Sequence, residues 1–340
     1  MKKFCLLSAL CLVLSLSVPF GLSSCGSDES AINDTKVKGT ESGGEKNVPV
    51  LQVEQITPIL SKIVAKIDEA AAQKNLNLLD ERVQGAEKPL MTTKLRINAN
   101  DLQVIPSIKQ YIVTNTKSWP RTIFLIGEDA STKLANKLYV LQQNNVRDNY
   151  KVSASVTLFD SQQLPKFDVP NQGSANVKLT ETGYESSIPD ILTKYSDLLS
   201  NGTDSHYAND FAIDQLQTQI RSAHQIANDQ LSQLGGQQSE VFNFVPETFS
   251  ALKTYDGGAL CVAEFKSTWV RSLPGNFYAT TATEAEKTLF GDSQRGHTIE
   301  ADYITEVLMY IPKKVDNAKN ASSSLKVFGA ERFPVEVRSR

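Results

Sequence analysis

The chain is poor in the residues that most site chemistry uses. Its 340 residues include three histidines and four cysteines. That is too few for an obvious three- or four-ligand zinc site or for a disulfide framework. Neither sign of charge dominates: 35 basic side chains stand against 38 acidic ones, a net charge of −3. Without a basic excess, no nucleic-acid partner is expected. The sequence contains no Gly-x-Ser-x-Gly elbow, no Gly-rich phosphate loop ending in Lys-Ser/Thr and no dinucleotide fingerprint. The commonest nucleophile, nucleotide and nicotinamide signatures are therefore missing. Two Ser-x-x-Lys matches, Ser250–Lys253 and Ser323–Lys326, fall in expected strands and lack Ser-Asp-Asn and Lys-Thr-Gly partners. That spacing works when a helical turn sets the lysine beside the serine oxygen. No catalytic residue, metal or cofactor is assigned.

What is present begins at the N-terminus. Lys2 and Lys3 precede an apolar, Leu-rich stretch from Phe4 to Phe20, broken by Pro19. This is the layout of an export signal, and it is marginal for a stable spanning helix. The ending Leu22-Ser23-Ser24-Cys25 resembles the lipobox of bacterial lipoproteins. The resemblance implies cleavage before Cys25, diacylation of that cysteine and residence on the outer face of the cytoplasmic membrane. Two acyl chains suffice for stable anchoring. Cys5 and Cys11 would leave with residues 1–24, so Cys261 would have no intrachain partner.

Residues 25–49 are rich in Gly, Ser, Asp, Glu and Lys, so they read as a tether with a reach of roughly 25–30 Å. Beyond it, Ile56, Ile59, Leu60, Ile63, Val64 and Ile67 recur at helical spacing and predict a helix over 56–73. Shorter helical stretches are expected over 76–83 and 98–111. The period changes to two near Thr122, giving strands over 123–127, 137–142 and 151–159. Residues 161–187, with Pro165, Pro170, Gly173 and Gly183, read as a linker.

The order then repeats. Helices are expected from Ile188 and over 209–234, with Gly235-Gly236 ending the second. Strands follow near 241–255, 259–270, 298–311 and 324–337, and Asp256-Gly257 marks a tight hairpin. A partly helical insertion covers 271–297. The expected fold is α+β, as two tandem cone-like domains over 50–160 and 188–340. Each would pack N-terminal helices on a curved antiparallel sheet.

Ser118-Trp119-Pro120-Arg121, Tyr207-Ala208-Asn209-Asp210-Phe211, Asp256-Gly257-Gly258-Ala259-Leu260 and Val327-Phe328-Gly329-Ala330-Glu331 carry a wider resemblance. With them the chain resembles a domain-of-unknown-function family of lipoproteins from high-GC Gram-positive bacteria. Each half resembles a nuclear-transport-factor-2-like cone around a cavity.

Such a cavity would gather Tyr195, His206, Tyr207 and Asp210 in the second half as ligand-binding residues, with Tyr303 and Glu306 from a late strand. His206 near Asp210 has the makings of a base oriented by a carboxylate; a helix-start histidine at the surface is the plainer alternative. Arg82, Arg96 and Arg121 would suit an anion or be solvated surface. Trp119 and Trp269 read as core or rim aromatics, and Cys261 as a buried small hydrophobe. Three functions follow from the sequence. The first is a non-enzymatic envelope lipoprotein binding a partner protein or cell-wall component. The second is a small-ligand binder or enzyme using the second-half cavity. The third is the substrate-binding lipoprotein of an importer.

Overall fold

The computed structural model describes residues 48–98, 108–127, 136–160, 162–167, 173–291, 295–314 and 325–340. The export signal, the lipobox with Cys25 and the tether up to residue 47 lie outside the described residues. So does Ser323 of the second Ser-x-x-Lys match.

The first half opens with α1 (Val53–Gln73) and, after a 3₁₀ turn over Leu76–Glu81, α2 (Glu87–Arg96). Strands β1 (Ile108–Val113), β2 (Arg121–Gly127), β3 (Lys137–Gln143) and β4 (Lys151–Leu158) follow. The second half repeats the order with α3 (Ile188–Asn201), α4 (Gln215–Ser232), β5 (Gln237–Lys253) and β6 (Ala259–Ser272). A short helix α5 (Glu284–Phe290) precedes β7 (Thr298–Ile311) and β8 (Lys326–Ser339). The helices begin where side chains cap them. Ser187 accepts the Asp190 N–H at α3, Asp214 accepts the Gln217 N–H at α4, and Thr283 accepts the Glu286 N–H at α5. Each cap satisfies a donor that the helix itself leaves open.

All eight strands form one antiparallel sheet in the order β1-β2-β3-β4-β8-β7-β6-β5. Two consecutive meanders thus meet where β4 pairs with β8, through Thr157–Ala330 and Leu158–Gly329. The sheet curls into a half-barrel with the helices packed against it. On its helix-bearing face, Ile56, Ile63 and Ile67 of α1 cover Ile123, Leu125 and Leu141. On the same face Ile191, Leu192 and Tyr195 of α3 cover Ala263, Phe265 and Val307. The opposite, inner face brings Phe124, Leu138 and Val156 of the first half onto Leu260, Leu308 and Phe328 of the second. Because both faces are buried, β2 and β3 carry nearly continuous apolar runs instead of an alternation.

Residues 48–340 belong to one compact unit, and the segment expected as a linker is a strap within it. Ser174 exchanges backbone hydrogen bonds with Val113 and Asn115 at the end of β1. Three residues on, Val177 N–H donates to Ala251, and Lys253 N–H donates to Ala175. The strap therefore ties the two outer strands of the sheet, β1 and β5, to each other at one end. A single curled sheet has this option; two separately closed cones would not need it.

Of the helix expected over 98–111, residues 99–107 lie outside the described residues, and 108–111 belong to β1, where Ile108, Ile112 and Val113 favour a strand. A helix that the periodicity did not suggest, α2, lies earlier. Pro89 sits in the first turn of α2, where proline costs no helical hydrogen bond. The expected hairpin is present: Gly257 has φ +84°, and Asp256 accepts from Thr254 and Gly258.

Gly329 lies at the β4–β8 join, where an added Cβ would run into the Thr157 carbonyl oxygen. Gly329→Ala is expected to destabilise the fold by about 1–3 kcal/mol through overpacking, read as a lower urea midpoint. An unchanged midpoint would show that the join yields freely.

Candidate functional site

The site forms where α4 crosses β5. On α4 the buried stripe is Leu216, Ile220, Ala227 and Leu231, and His224 falls on its flank, one turn after Ile220. On β5, Glu240 and Phe242 take the alternate positions that face the helices. Helix and strand periods together bring His224 Nε2 to 2.8 Å from Glu240 Oε2.

Glu240 is fully shielded from water, and three donors serve it. Besides His224, Ser267 Oγ donates to its Oε1 at 2.5 Å and Arg332 Nη2 to the same oxygen at 2.7 Å. Burial alone would raise its pKa, but the Arg332 charge and the hydrogen bonds from His224 and Ser267 outweigh it. The carboxyl is held below its ordinary value. An ionised carboxylate only accepts hydrogen bonds, and Arg332 already balances its charge. In the neutral imidazole the proton therefore sits on Nε2, leaving Nδ1 as an acceptor without a protein partner among the described residues.

The support beneath is tightly built. The Trp269 ring lies 5.3 Å from the imidazole, and its Nε1 donates to Gln238 at 2.6 Å. The Arg332 guanidinium lies 3.7 Å from the Tyr303 ring centroid. Tyr303 in turn donates to Glu286 of α5 at 2.5 Å, and Arg271 holds the same carboxylate with two hydrogen bonds.

Above the dyad runs an open groove of about 670 Å³ between α4 and the C-terminal end of α3 with its following turn. Asn201, Thr203, Asn209, Arg221, His224 and Asn228 line it. Arg221 and Asn228 make no side-chain hydrogen bond within the described residues. Ser200, also in the wall, spends its hydroxyl on the Phe242 N–H and the Ser196 carbonyl. The wall thus offers recognition groups, and its serine is not an activated nucleophile.

The residues expected to converge do not all meet. Tyr195 is fully buried in the core and donates to Asp214 at 2.9 Å. Burial first, and then the Asp214 charge, push its hydroxyl well above the ordinary tyrosine range. Tyr207 packs partly on that core with Lys194 over its ring. His206 and Asp210 are exposed, in turn structure ahead of α4. Helix α4 starts at Gln215 with Asp214 as its cap, so Asp210 does not serve its N-terminus. Their loop does reach the groove through Asp204, Ala208 and Asn209.

Tyr303 and Glu306 lie on opposite faces of β7. Tyr303 packs with Trp269 and Ala301 on the helix side, whereas Glu306 bonds Ser155 on the inner side. Of the three arginines, Arg96 is exposed and Arg82 and Arg121 are half-buried on other elements, so no shared anion site forms from them. Trp269 is core, and Trp119 lies at the surface beneath the Arg121 guanidinium. Cys261 is buried, and burial raises its thiol to about 12. Ser250 and Lys253 lie on β5, not on a helical turn.

The geometry defines an α+β protein with a polar groove seated on a buried carboxylate. The chain belongs to the family described as Domain of unknown function (DUF8094), which matches residues 48–332. No curated protein and no solved structure matches it.

Glu240→Gln removes the charge opposite Arg332. A loss of about 3 kcal/mol is expected at neutral pH, as for other buried pairs broken on one side. The Glu240 carboxyl has a lowered folded-state pKa, so its contribution is complete above the ordinary glutamate pKa of 4.5 and fades as the pH falls through the folded value. Denaturant titrations of wild type and variant should therefore converge in acid; a constant gap would assign the loss to packing.

Proposed function

We propose that the protein is a membrane-anchored extracytoplasmic lipoprotein with a non-enzymatic binding role in the cell envelope. Its binding site is the groove between α3 and α4. The observation that carries this reading is the groove itself, a concave polar surface whose key acceptor, His224 Nδ1, is set by a buried carboxylate. Sites of this size and shape are the usual seats of small ligands. Arg221 and Asn228 supply unspent donors beside it, and the groove's volume suits one or two sugar or amino-acid units of a cell-wall component.

The anchor rests on Lys2, Lys3, the apolar run and Leu22-Ser23-Ser24-Cys25. No helix among the described residues is long and apolar enough to cross a membrane. In this reading a lipid on Cys25 provides the attachment. The repeated order of helices and four-strand meander supports reading the chain as a tandem of nuclear-transport-factor-2-like halves joined edge to edge. The motifs at 118–121, 207–211, 256–260 and 327–331 support kinship with lipoproteins of high-GC Gram-positive bacteria. An importer's binding protein fits less well, because the sheet is antiparallel throughout instead of built from alternating β–α lobes.

Two experiments test the proposal. Cys25→Ser should move the protein from the membrane fraction to the soluble fraction; wild-type protein found soluble would overturn the anchor. A thermal-shift screen with muropeptides, N-acetylated sugars and amino acids tests the groove. A ligand at 100 times its Kd adds about 2.7 kcal/mol of stability. His224→Ala combined with Arg221→Ala should abolish that shift, and a shift that survives would place the site elsewhere.

A further inference from the structure

The inner face of the sheet holds a second group of charges, away from the groove. Three glutamates stand in a row on neighbouring strands. Glu264 of β6 lies directly opposite Glu306 of β7, and Glu306 directly opposite Glu331 of β8. Like charges in opposite register repel, and here they are buried, Glu306 completely. A fourth carboxyl, Glu87, enters from the first turn of α2 and is 5% exposed.

The outer two members of the row have cations. Lys94 of α2 donates to Glu331 at 2.5 Å, Lys137 of β3 lies 3.4 Å from its other oxygen, and Thr157 of β4 donates to it at 2.8 Å. Although burial works against it, these lysines bring the Glu331 carboxyl down to about 2. At the rim, Lys266 of β6 lies 3.7 Å from Glu264.

Among the described residues no ion pair joins a cation to Glu306 or Glu87, and Glu87 feels the charges of Lys94 and Lys137 only at a distance. Glu306 Oε2 accepts the Ser155 N–H from β4 at 2.8 Å. Glu306 Oε1 and Glu87 Oε2 are both buried without a hydrogen-bond partner. With Glu264 and Lys266 set aside, three carboxyls face two ammonium groups among the described residues. That leaves one negative charge too many in a region closed to water. An uncompensated buried charge is costly, and the usual remedy is to take up a proton.

We propose that Glu87 and Glu306 hold one proton between them, and that this proton fastens α2 to the inner face of the sheet. A shared proton removes the excess charge and gives the orphaned oxygens an O–H donor and its acceptor. The energetics of the two groups agree. Burial raises Glu87 against the pull of Lys94, and burial together with the charge of Glu87 raises Glu306 well above its ordinary value.

The remaining attachment of α2 to β7 and β8 is small and apolar, with Ala86 and Leu90 against Ile304, Phe333 and Val335. Loss of the proton puts two like charges between helix and sheet, opposed by that patch and the Lys94–Glu331 pair. The pair therefore acts as a latch that weakens as the pH rises.

The sign is fixed by the raised values. A carboxyl with an elevated folded-state pKa contributes its full stability below the unfolded value of 4.5 and loses it as the pH climbs through the folded value. Glu306→Gln supplies a neutral hydrogen-bonding group of the same shape. Relative to wild type, it should raise the thermal midpoint at pH 8 by about 3 °C, a shift of the size that roughly 1 kcal/mol produces. The difference should vanish at pH 4.

Glu87→Gln should behave alike, which covers the case in which one variant fails to fold. In D₂O, wild type at pH 7 should show the infrared band of a protonated carboxyl that is missing from Glu306→Gln. Hydrogen exchange over 87–96, corrected for intrinsic rate, should lose protection between pH 6 and 9 in wild type and keep it in the variants. Variants less stable than wild type at pH 8, or α2 protection that does not change with pH in wild type, would overturn the latch.

Discussion

The sheet is held in its curled form at two places, and everything else is arranged around them. At one, β4 and β8 join the two meanders through a short stretch of pairing made possible by the missing side chain of Gly329. At the other, the strap at 173–177 bonds to the ends of both outer strands, β1 and β5. A twisted sheet of eight strands left open would expose one apolar face and two unpaired edges. Curling buries the inner face against itself, and the strap covers part of the edges. Helices α1, α3 and α4 are then needed on one side only, which is where the sequence supplies their apolar stripes, and α2 alone reaches the residues of β7 and β8 that point the other way.

Burial on both faces has an electrostatic consequence. Several charged residues of β5 to β8, among them Glu240, Glu264, Arg271, Glu300, Glu306 and Glu331, are buried on one face or the other, so they need partners. On the helix side this produces a chain of partners, from His224 and Glu240 through Arg332 and Tyr303 to Glu286 and Arg271. On the inner side the same strands carry Glu264, Glu306 and Glu331, and lysines from α2, β3 and β6 answer them. The two networks share strands but point to opposite faces. The groove is thereby held by a rigid support, whereas α2 is held by ionisable groups.

Much of the architecture was legible in the sequence because it follows from local periodicity. The stripe in α1, the start of α3, the Asp-Gly hairpin and seven strand positions all lie where hydrophobic spacing or turn chemistry puts them. Residues 108–111 were misread because their apolar spacing suits a short helix as well as a strand, and only the pairing with β2 settles it. The joining of the two halves was invisible for a different reason. Strand pairing between residues 158 and 329 is a long-range choice that leaves only an unremarked glycine as its local mark.

The candidate site was legible in part, and its gaps have the same origin. The sequence pointed to a cavity in the second half, and the groove described above lies between α3 and α4 of that half. His206 and Asp210 drew notice because they lie close in sequence; His224 and Glu240 are joined across a helix–strand contact. A signal for them did exist. His224 interrupts the helix face that carries Ile220 and Ala227, and Glu240 occupies an inward strand position two residues before Phe242. A polar residue on a stripe that must be buried needs a partner, and two such interruptions on neighbouring elements can supply one another. The same test separates Tyr303 from Glu306, since residues three apart on a strand face opposite ways. Interruptions of a buried pattern, more than nearness along the chain, locate the polar groups that the fold brings together.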